Sequence, residues 1–169
     1  MATTLQKPAT RAVPKEPDAA TPSAIVHSLN RQLAHAIDLQ LQAKHAHWNV
    51  KGMSFAALHD LFEQVAVAAA NHADLLAERA VQLGGLADGD VRAVAKTSEL
   101  PRYPSQIVSG PDHVKALAAA LSSFAAAIRP GIDEASRAGD VATEDILVEV
   151  LRETDKLRWL VEAHIQGER

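Results

Sequence analysis

Residues 22–50 have the sequence PSAIVHSLNRQLAHAIDLQLQAKHAHWNV. Apolar side chains recur there at every fourth position: Ile25, Leu29, Leu33, Ile37 and Leu41. This spacing aligns them on one face of an α-helix, so the stretch predicts a long amphipathic helix. Thr21 suits the N-cap and Pro22 the first helical position. The helix is predicted to run to about Val50 and to stop at Gly52.

A second helix is predicted from Ser54, a candidate N-cap, to Gly84-Gly85. Its length would be about 45 Å at the rise of an α-helix. Residues 86–110 contain Gly89 and two prolines, which indicates a long crossover. A short helix is predicted in the crossover, near Ser105–Val108.

The rest of the chain predicts two further helices. The third begins near Pro111-Asp112, and Pro130-Gly131 is expected to kink or break it. The fourth runs from about Thr143 to His164. Two long helices, a crossover with a short helix and two more helices predict an all-α, ferritin-like four-helix bundle.

Composition restricts the classes of protein that this chain could belong to. Its 169 residues suffice for one domain with a substantial core. Residues 1–21 hold three prolines and no apolar periodicity, so they are predicted to be a flexible tail before a domain spanning 22–169. No apolar run is long enough for a membrane helix, and the N-terminus lacks a signal-peptide core. We therefore expect a cytoplasmic protein without membrane contact.

Candidate metal ligands concentrate between residues 45 and 78: His47, His59, Glu63, Asp74 and Glu78. The chain has no cysteine, so any metal must bind to histidine or carboxylate, which suits iron, zinc or manganese. Taken singly, such residues are more often ordinary surface or core side chains. Trp48, next to His47, is more often a packing residue than a chemical one.

The spacing of these ligands restricts how they can combine. His59 and Asp74 are 15 residues apart on one predicted helix, or about 22 Å along its axis. Metal–ligand bonds of about 2 Å cannot join them to one ion. Either each chain holds two incomplete sites, or Asp74 and Glu78 complete a site with the histidines of a second chain. A two-fold interface between antiparallel copies of this helix would create two equivalent sites.

Two segments resemble the signatures of the Dps family, mini-ferritins that protect DNA during starvation. The first is HAHWNVKG at 45–52, followed by Phe55, His59 and Asp60. The second runs from His72-Ala73-Asp74 through ERAVQLGG at 78–85. Later landmarks of the family are similar to Tyr103-Pro104, Asp112-His113 and the segment from Asp155-Lys156 to Trp159. The resemblance covers about residues 24–165.

This resemblance implies a homo-oligomeric shell of twelve subunits with ferroxidase centres at two-fold interfaces. His47 and His59 would come from one subunit, and Asp74 and Glu78 from its partner. Fe(II) would be oxidised to Fe(III), preferably by hydrogen peroxide, and stored as ferric oxide, with Zn as a competing ion. Glu63 stands where the family usually has Asp, and Trp48 resembles the family tryptophan proposed to quench radicals. Packing is an equally good explanation of Trp48.

Two alternatives to iron storage stay open. One is a nucleoid-associated protein that binds and compacts DNA, with secondary iron chemistry. The other is a helical scaffold without chemistry. The family resemblance also suggests that Asp140, Asp145 and Glu149 line an iron-entry pore. The preference for acidic residues near a helix N-terminus is an equally good explanation of these three residues.

DNA binding is expected to be weak and sensitive to salt. The chain has a net charge of -4, and residues 1–21 hold three basic and two acidic side chains, a net of 3 − 2 = +1. A nearly charge-balanced tail on an acidic body gives weak binding, and because the remaining phosphate contacts are electrostatic, added salt weakens it further. Gel shifts at about 0.15 M salt test this expectation. Tight retention that is lost on deleting residues 1–21 would contradict it.

Overall fold

A computed structural model of the chain describes residues 21–166. This part of the chain forms five helices: α1 (Thr21–Asn49), α2 (Phe55–Gln82), α3 (Val91–Thr97), α4 (Gly110–Ala138) and α5 (Val141–Glu162). No strand occurs in it, and its one β-bridge joins Lys51 to Ser109. Four long helices and a short one in the crossover confirm the predicted fold class. The predicted tail lies outside the described residues, apart from Thr21.

The four long helices bury their apolar faces in one core. α1 packs along α2, α4 packs along α5, and contacts of α1 with α4 and of α2 with α5 join the two pairs. Its largest fully buried apolar side chains come from all four helices: Leu29, Leu39, Phe62, Leu76, Leu117, Leu121, Phe124, Ile128 and Leu147. Burying one such side chain contributes about 1.5–3 kcal/mol. The core thus fixes how α1 and α2 lie side by side.

Of the two predicted outcomes at Pro130, a kink or a break, the break is wrong, because α4 continues through this residue to Ala138. Pro130 has no N–H for the carbonyl four residues earlier, that of Ala126. Gln32 of α1 donates through Nε2 to the neighbouring carbonyl of Ala127 at 2.7 Å and so joins this turn of α4 to α1. Pro130 itself is exposed, whereas Gly131 is buried, and a Cβ there would lie 3.2 Å from Leu147 of α5. The glycine lets α4 and α5 approach closely.

The short helix of the crossover lies at Val91–Thr97 and not near Ser105–Val108. The side chain of Asp90 caps it by accepting from two backbone amides, and Val94 is buried. Near the other predicted position the chain forms a turn, and the Val108 carbonyl accepts from the amide of Lys51 at 2.9 Å. This backbone pairing uses the carbonyl in a tertiary contact, so the segment ties the crossover to the α1–α2 turn.

Other predicted helix boundaries agree with the structure within a few residues. Ser54 occupies the N-cap position of α2, but its side chain makes no capping hydrogen bond, so that part of the prediction is wrong. α2 ends before Gly84, whose φ of 81° reverses the chain. Among the helices within residues 21–166, none combines the length and hydropathy that crossing a bilayer requires.

Two buried histidines in the core predict a loss of stability in acid. His35 and His72 are 4% and 2% exposed, and both rings lie near Phe124. Burial lowers the pKa of His35, opposed by Glu99 and Asp38 and assisted by Arg31. Burial likewise lowers the pKa of His72, opposed by its hydrogen bond to Glu153 and by the charge of Glu149. Both folded-state pKa values lie below the usual one.

The unfolded chain therefore binds more protons than the folded chain between each lowered pKa and the usual value of 6.5. In that window the free energy of unfolding should fall with falling pH, by at most about 1.4 kcal/mol per pH unit per histidine. Urea unfolding at several pH values measures the slope. His35→Gln should flatten it, whereas His27→Gln, at an exposed position, should not. An unchanged slope in His35→Gln would contradict the assignment to His35.

Candidate metal centre

Two histidines face each other across the turn that joins α1 to α2. His47 lies in the last turn of α1, and His59 lies near the start of α2. Between them Gly52 has a φ of 115°, a conformation that residues with side chains rarely adopt. The two imidazole rings stack with their centroids 3.6 Å apart. The turn therefore brings these two predicted ligands together.

Each of these rings is held by the backbone of the other residue. His47 Nδ1 donates to the carbonyl of His59, and His59 Nδ1 donates to the carbonyl of His47, both at 2.9 Å. Because a carbonyl oxygen only accepts, we assign the proton of each neutral ring to Nδ1. Each Nε2 then keeps its lone pair. This tautomer, fixed by a backbone partner, is the form in which imidazole binds a metal ion.

Glu63 lies beside the histidines, but a lysine holds its carboxylate. Its Oε2 is 2.6 Å from Lys44 Nζ and 3.4 Å from His47 Nδ1. The hydrogen bond from Lys44 is the largest cause that lowers the pKa of Glu63. A cation bound by this carboxylate would have to displace or share the lysine. Lys44 was not predicted to be a site residue, although its position one helical turn before Trp48 could have indicated it.

Replacing Lys44 tests whether Glu63 is a ligand. Lys44→Met is expected to tighten Fe(II) binding by up to about tenfold, because a hydrogen bond to a charged group contributes about 1.5 kcal/mol. Anaerobic Fe(II) titration measures the affinity. Lys115→Met, which removes an exposed lysine of α4, is the matched control and should leave it unchanged. Affinity that is unchanged or weaker in Lys44→Met would show that Glu63 does not bind the ion.

Trp48 projects from the last turn of α1 next to the histidine pair. It is 68% exposed, so packing within its own chain does not account for it. Lys44 Nζ lies 5.6 Å from the centroid of its ring, within the range of a cation–π contact. The lysine thus links Glu63 to the indole. A chemical role for Trp48 stays a prediction.

Asp74 and Glu78 lie away from the histidine pair, on an exposed face further along α2. α2 is one uninterrupted helix from Phe55 to Gln82, so the estimate of about 22 Å between His59 and Asp74 holds. Within residues 21–166, no three His, Asp or Glu side chains are placed to hold a metal ion. The structure brings His47, His59 and Glu63 together and leaves Asp74 and Glu78 apart from them.

The three acidic residues predicted to line a pore do not share one environment. Asp145 and Glu149 are exposed on α5. Asp140 is 7% exposed, caps α5 and lies 2.8 Å from Arg79 Nη2 of α2. Asp140 and Asp145 also do not share a helix face, because residues five apart on a helix point in different directions. Only Asp145 and Glu149 remain candidates.

The comparisons with known proteins agree on one family. The sequence model of the ferritin-like domain matches residues 26–169. A DNA protection during starvation protein of Agrobacterium fabrum is 44% identical over 85% of this chain and 89% of its own length. The structure of Dps from Microbacterium arborescens in the high iron form has a TM-score of 0.82 at 30% identity, covering 88% of this chain and 96% of that one. For DpsA14 from Streptomyces coelicolor the TM-score is 0.84 at 30% identity, with 88% of each chain covered.

Proposed function

Since this chain belongs to the Dps proteins of the ferritin-like family, we propose that it is an iron-storing ferroxidase whose sites form between two subunits. Each site binds Fe(II) as substrate and oxidises it to Fe(III), preferably with hydrogen peroxide. Twelve subunits form a cytoplasmic shell that stores the ferric product. The removal of Fe(II) and peroxide together protects DNA.

The observation that carries this proposal is the histidine pair. His47 and His59 donate through Nδ1 to each other's backbone carbonyls, so both Nε2 atoms are available to one cation or to two adjacent cations. Two imidazoles leave most coordination positions of an iron ion unfilled. Carboxylates from elsewhere must supply the hard oxygen ligands that favour Fe(III). In this chain Asp74 and Glu78 are the candidates.

In one register of two antiparallel α2 helices, Asp74 and Glu78 of one chain lie opposite Glu63 and His59 of the other. His59 and Glu63 are four residues apart, and so are Asp74 and Glu78. In a two-fold antiparallel pair, the numbers of opposed residues have a constant sum. Both 59 + 78 and 63 + 74 equal 137, so one register sets His59 against the partner's Glu78 and Glu63 against the partner's Asp74. The axis generates a second, identical site.

The surface near the centre of this register permits close approach of a second helix. Val67 is 51% exposed there. Two shallow grooves lie along this face. One of about 310 Å³ runs between α1 and α2 beside Glu63, and one of about 470 Å³ beside Asp74 is bounded by α1, α2 and the start of the crossover. Ala66 lines the first groove, Ala73 and Ala77 line the second, and Ala70 lines both. Small side chains at an interface let two backbones come close, so this face suits a helix of a second copy.

The residues of such a site would bind and orient the substrates of a two-electron reaction. One molecule of hydrogen peroxide accepts two electrons from two Fe(II) ions and gives two Fe(III) ions and two hydroxide ions. A site that holds both Fe(II) ions together therefore consumes peroxide without releasing hydroxyl radical. The Nε2 lone pairs of His47 and His59 bind Fe(II), while the carboxylates stabilise the trivalent product.

Anaerobic Fe(II) titration followed by peroxide tests this function. We expect saturable Fe(II) binding and rapid formation of Fe(III), measured by ultraviolet absorbance after peroxide addition. His59→Ala should abolish the rapid phase, and Zn(II) added first should compete with Fe(II). His27→Ala removes an exposed histidine of α1 and is the matched control. Iron oxidation that is equally fast in His59→Ala and the unmodified chain would contradict the proposal.

A further inference from the structure

A tyrosine–histidine pair joins the crossover to α4, outside the site formed by His47 and His59. Tyr103, in the crossover, is the only tyrosine of the chain. Its hydroxyl lies 2.5 Å from Nδ1 of His113, which is in the first turn of α4 and is fully buried. Packing contact between these side chains would be enough to hold the crossover against α4. A short hydrogen bond between a phenol and a buried imidazole also allows a proton to pass between them.

The protonation states of the pair suit proton transfer. Burial raises the pKa of Tyr103 above its usual range, so the phenol is neutral. Burial is also the largest cause that lowers the pKa of His113, so its ring is neutral as well. The phenol then donates and Nδ1 accepts. His113 is the base to which Tyr103 can pass its proton without contact with bulk water.

Rings on α1 and α2, the helices that carry the proposed iron ligands His47 and His59, adjoin this pair. The ring of His45, on α1, meets that of Tyr103 edge-on at 5.2 Å, and Phe62, on α2, lies 6.2 Å from His113. His45 is two residues before His47, and Phe62 is three residues after His59. Residues two apart point to opposite sides of α1, so about one helix diameter, roughly 10–12 Å, separates the His45 side of α1, where Tyr103 lies, from the His47 side. Electrons tunnel readily through protein over such a separation.

We propose that Tyr103 and His113 form a redox-active pair that reduces hydroxyl radical formed at the proposed iron site. The proposal rests on the ferroxidase function above. A site holding a single Fe(II) can transfer only one electron to hydrogen peroxide, which gives Fe(III), hydroxide and hydroxyl radical. Tyr103 then supplies one electron, which converts the radical to hydroxide, and its proton passes to Nδ1 of His113. A neutral tyrosyl radical and an imidazolium result.

A further Fe(II) reduces the pair to its starting state. That ion supplies one electron to the tyrosyl oxygen and becomes Fe(III), and the proton returns from His113 to the phenol. The sum of both steps is one hydroxyl radical reduced to hydroxide by one Fe(II). This cycle would let incompletely loaded sites react with peroxide without oxidising other side chains.

Freeze-quench electron paramagnetic resonance tests the proposal on the assembled, full-length protein. Substoichiometric Fe(II) is mixed with peroxide, and Fe(III) formation is followed separately by absorbance. We expect a radical signal whose hyperfine pattern collapses when the protein carries ring-deuterated tyrosine, which assigns it to Tyr103. The signal should vanish in Tyr103→Phe, which keeps the ring and leaves Fe(III) formation unchanged. Trp159→Phe, at an exposed residue of α5, is the control and should retain it.

The role of His113 has its own test. His113→Gln retains a hydrogen-bond acceptor but no base, and loss of a positioned base slows proton transfer by roughly 10²-fold or more. The tyrosyl signal should therefore form that much more slowly while Fe(III) forms at the usual rate. Normal Fe(III) formation without a tyrosyl signal, or an unchanged signal in His113→Gln, overturns the pair alone. Absence of Fe(III) formation in the unmodified protein overturns the ferroxidase function and the pair with it.

Discussion

His59→Ala and Asp74→Ala are each expected to abolish rapid Fe(II) oxidation, and about a quarter of it should return when the two variants are refolded together. Each proposed site needs His59 from one chain and Asp74 from the other. In a mixed dimer both lesions fall in one site, and the other site is intact. Random assembly from equal amounts makes half of the dimers mixed, and half of their sites are intact, so about a quarter of all sites recover by two-fold symmetry.

The measurement is stopped-flow Fe(II) oxidation after the two variants have been unfolded and refolded together. Variants mixed without unfolding are the control and should stay inactive as long as subunits do not exchange. A second control co-refolds His59→Ala with His47→Ala, whose lesions lie on the same side of the site. In a mixed dimer of these two, each site lacks one histidine, so no activity should return. Failure of the first pair to recover, in a verified mixed assembly, would mean that the site does not combine His59 and Asp74 of different chains.

Arg79→Met is expected to destabilise the fold by about 3 kcal/mol, because breaking a buried ion pair leaves one charge without its partner. Arg79 Nη2 lies 2.8 Å from Asp140 Oδ1, and Arg79 Nε donates to Thr143 Oγ1 at 2.8 Å. The side chains of Arg79 and Asp140 are 16% and 6% exposed. This contact joins the C-terminal end of α2 to the N-terminus of α5. Urea unfolding followed by circular dichroism measures the loss.

Arg129→Met is the matched control for this prediction. Arg129 pairs with Asp155 at 3.4 Å, but its side chain is 58% exposed, so its loss should cost about 0–1 kcal/mol. Equal effects of the two substitutions would contradict the importance of burial. A double variant with Asp140→Asn should lose less than the sum of the single losses, since the remaining partner is then uncharged.

The effect of Arg79→Met should also depend on pH. Burial opposes ionisation of Asp140, but hydrogen bonds from Thr143 and the charge of Arg79 outweigh it, so the pKa of Asp140 is lowered. A carboxylate with a lowered folded-state pKa contributes stability above its usual pKa and loses it as the pH falls through the folded value. The difference between Arg79→Met and the unmodified chain should therefore be full at neutral pH and shrink in acid.

Local sequence patterns predicted most of the fold. The four-residue spacing from Ile25 to Leu41 depends only on the geometry of a helix, and α1 follows it from Thr21 to Asn49. The same geometry predicted that His59 and Asp74 cannot meet within one chain. Helix ends marked by Gly52 and Gly84 were also predictable, since each has a positive φ in the structure. These features depend on neighbours in the sequence, so the sequence alone determines them.

Contacts between distant segments decided the rest. Pro130 indicates a helix break, but α4 continues through it to Ala138 while packed against α1 and α5. The reciprocal hydrogen bonds that fix the tautomers of His47 and His59 depend on how the α1–α2 turn closes. Asp140 forms an ion pair with Arg79 and is separate from the exposed acidic residues of α5, because packing of α2 against α5 buries it. Such outcomes depend on which groups tertiary packing brings within hydrogen-bonding distance. The spacing of residues along the chain does not determine which distant groups meet in this way.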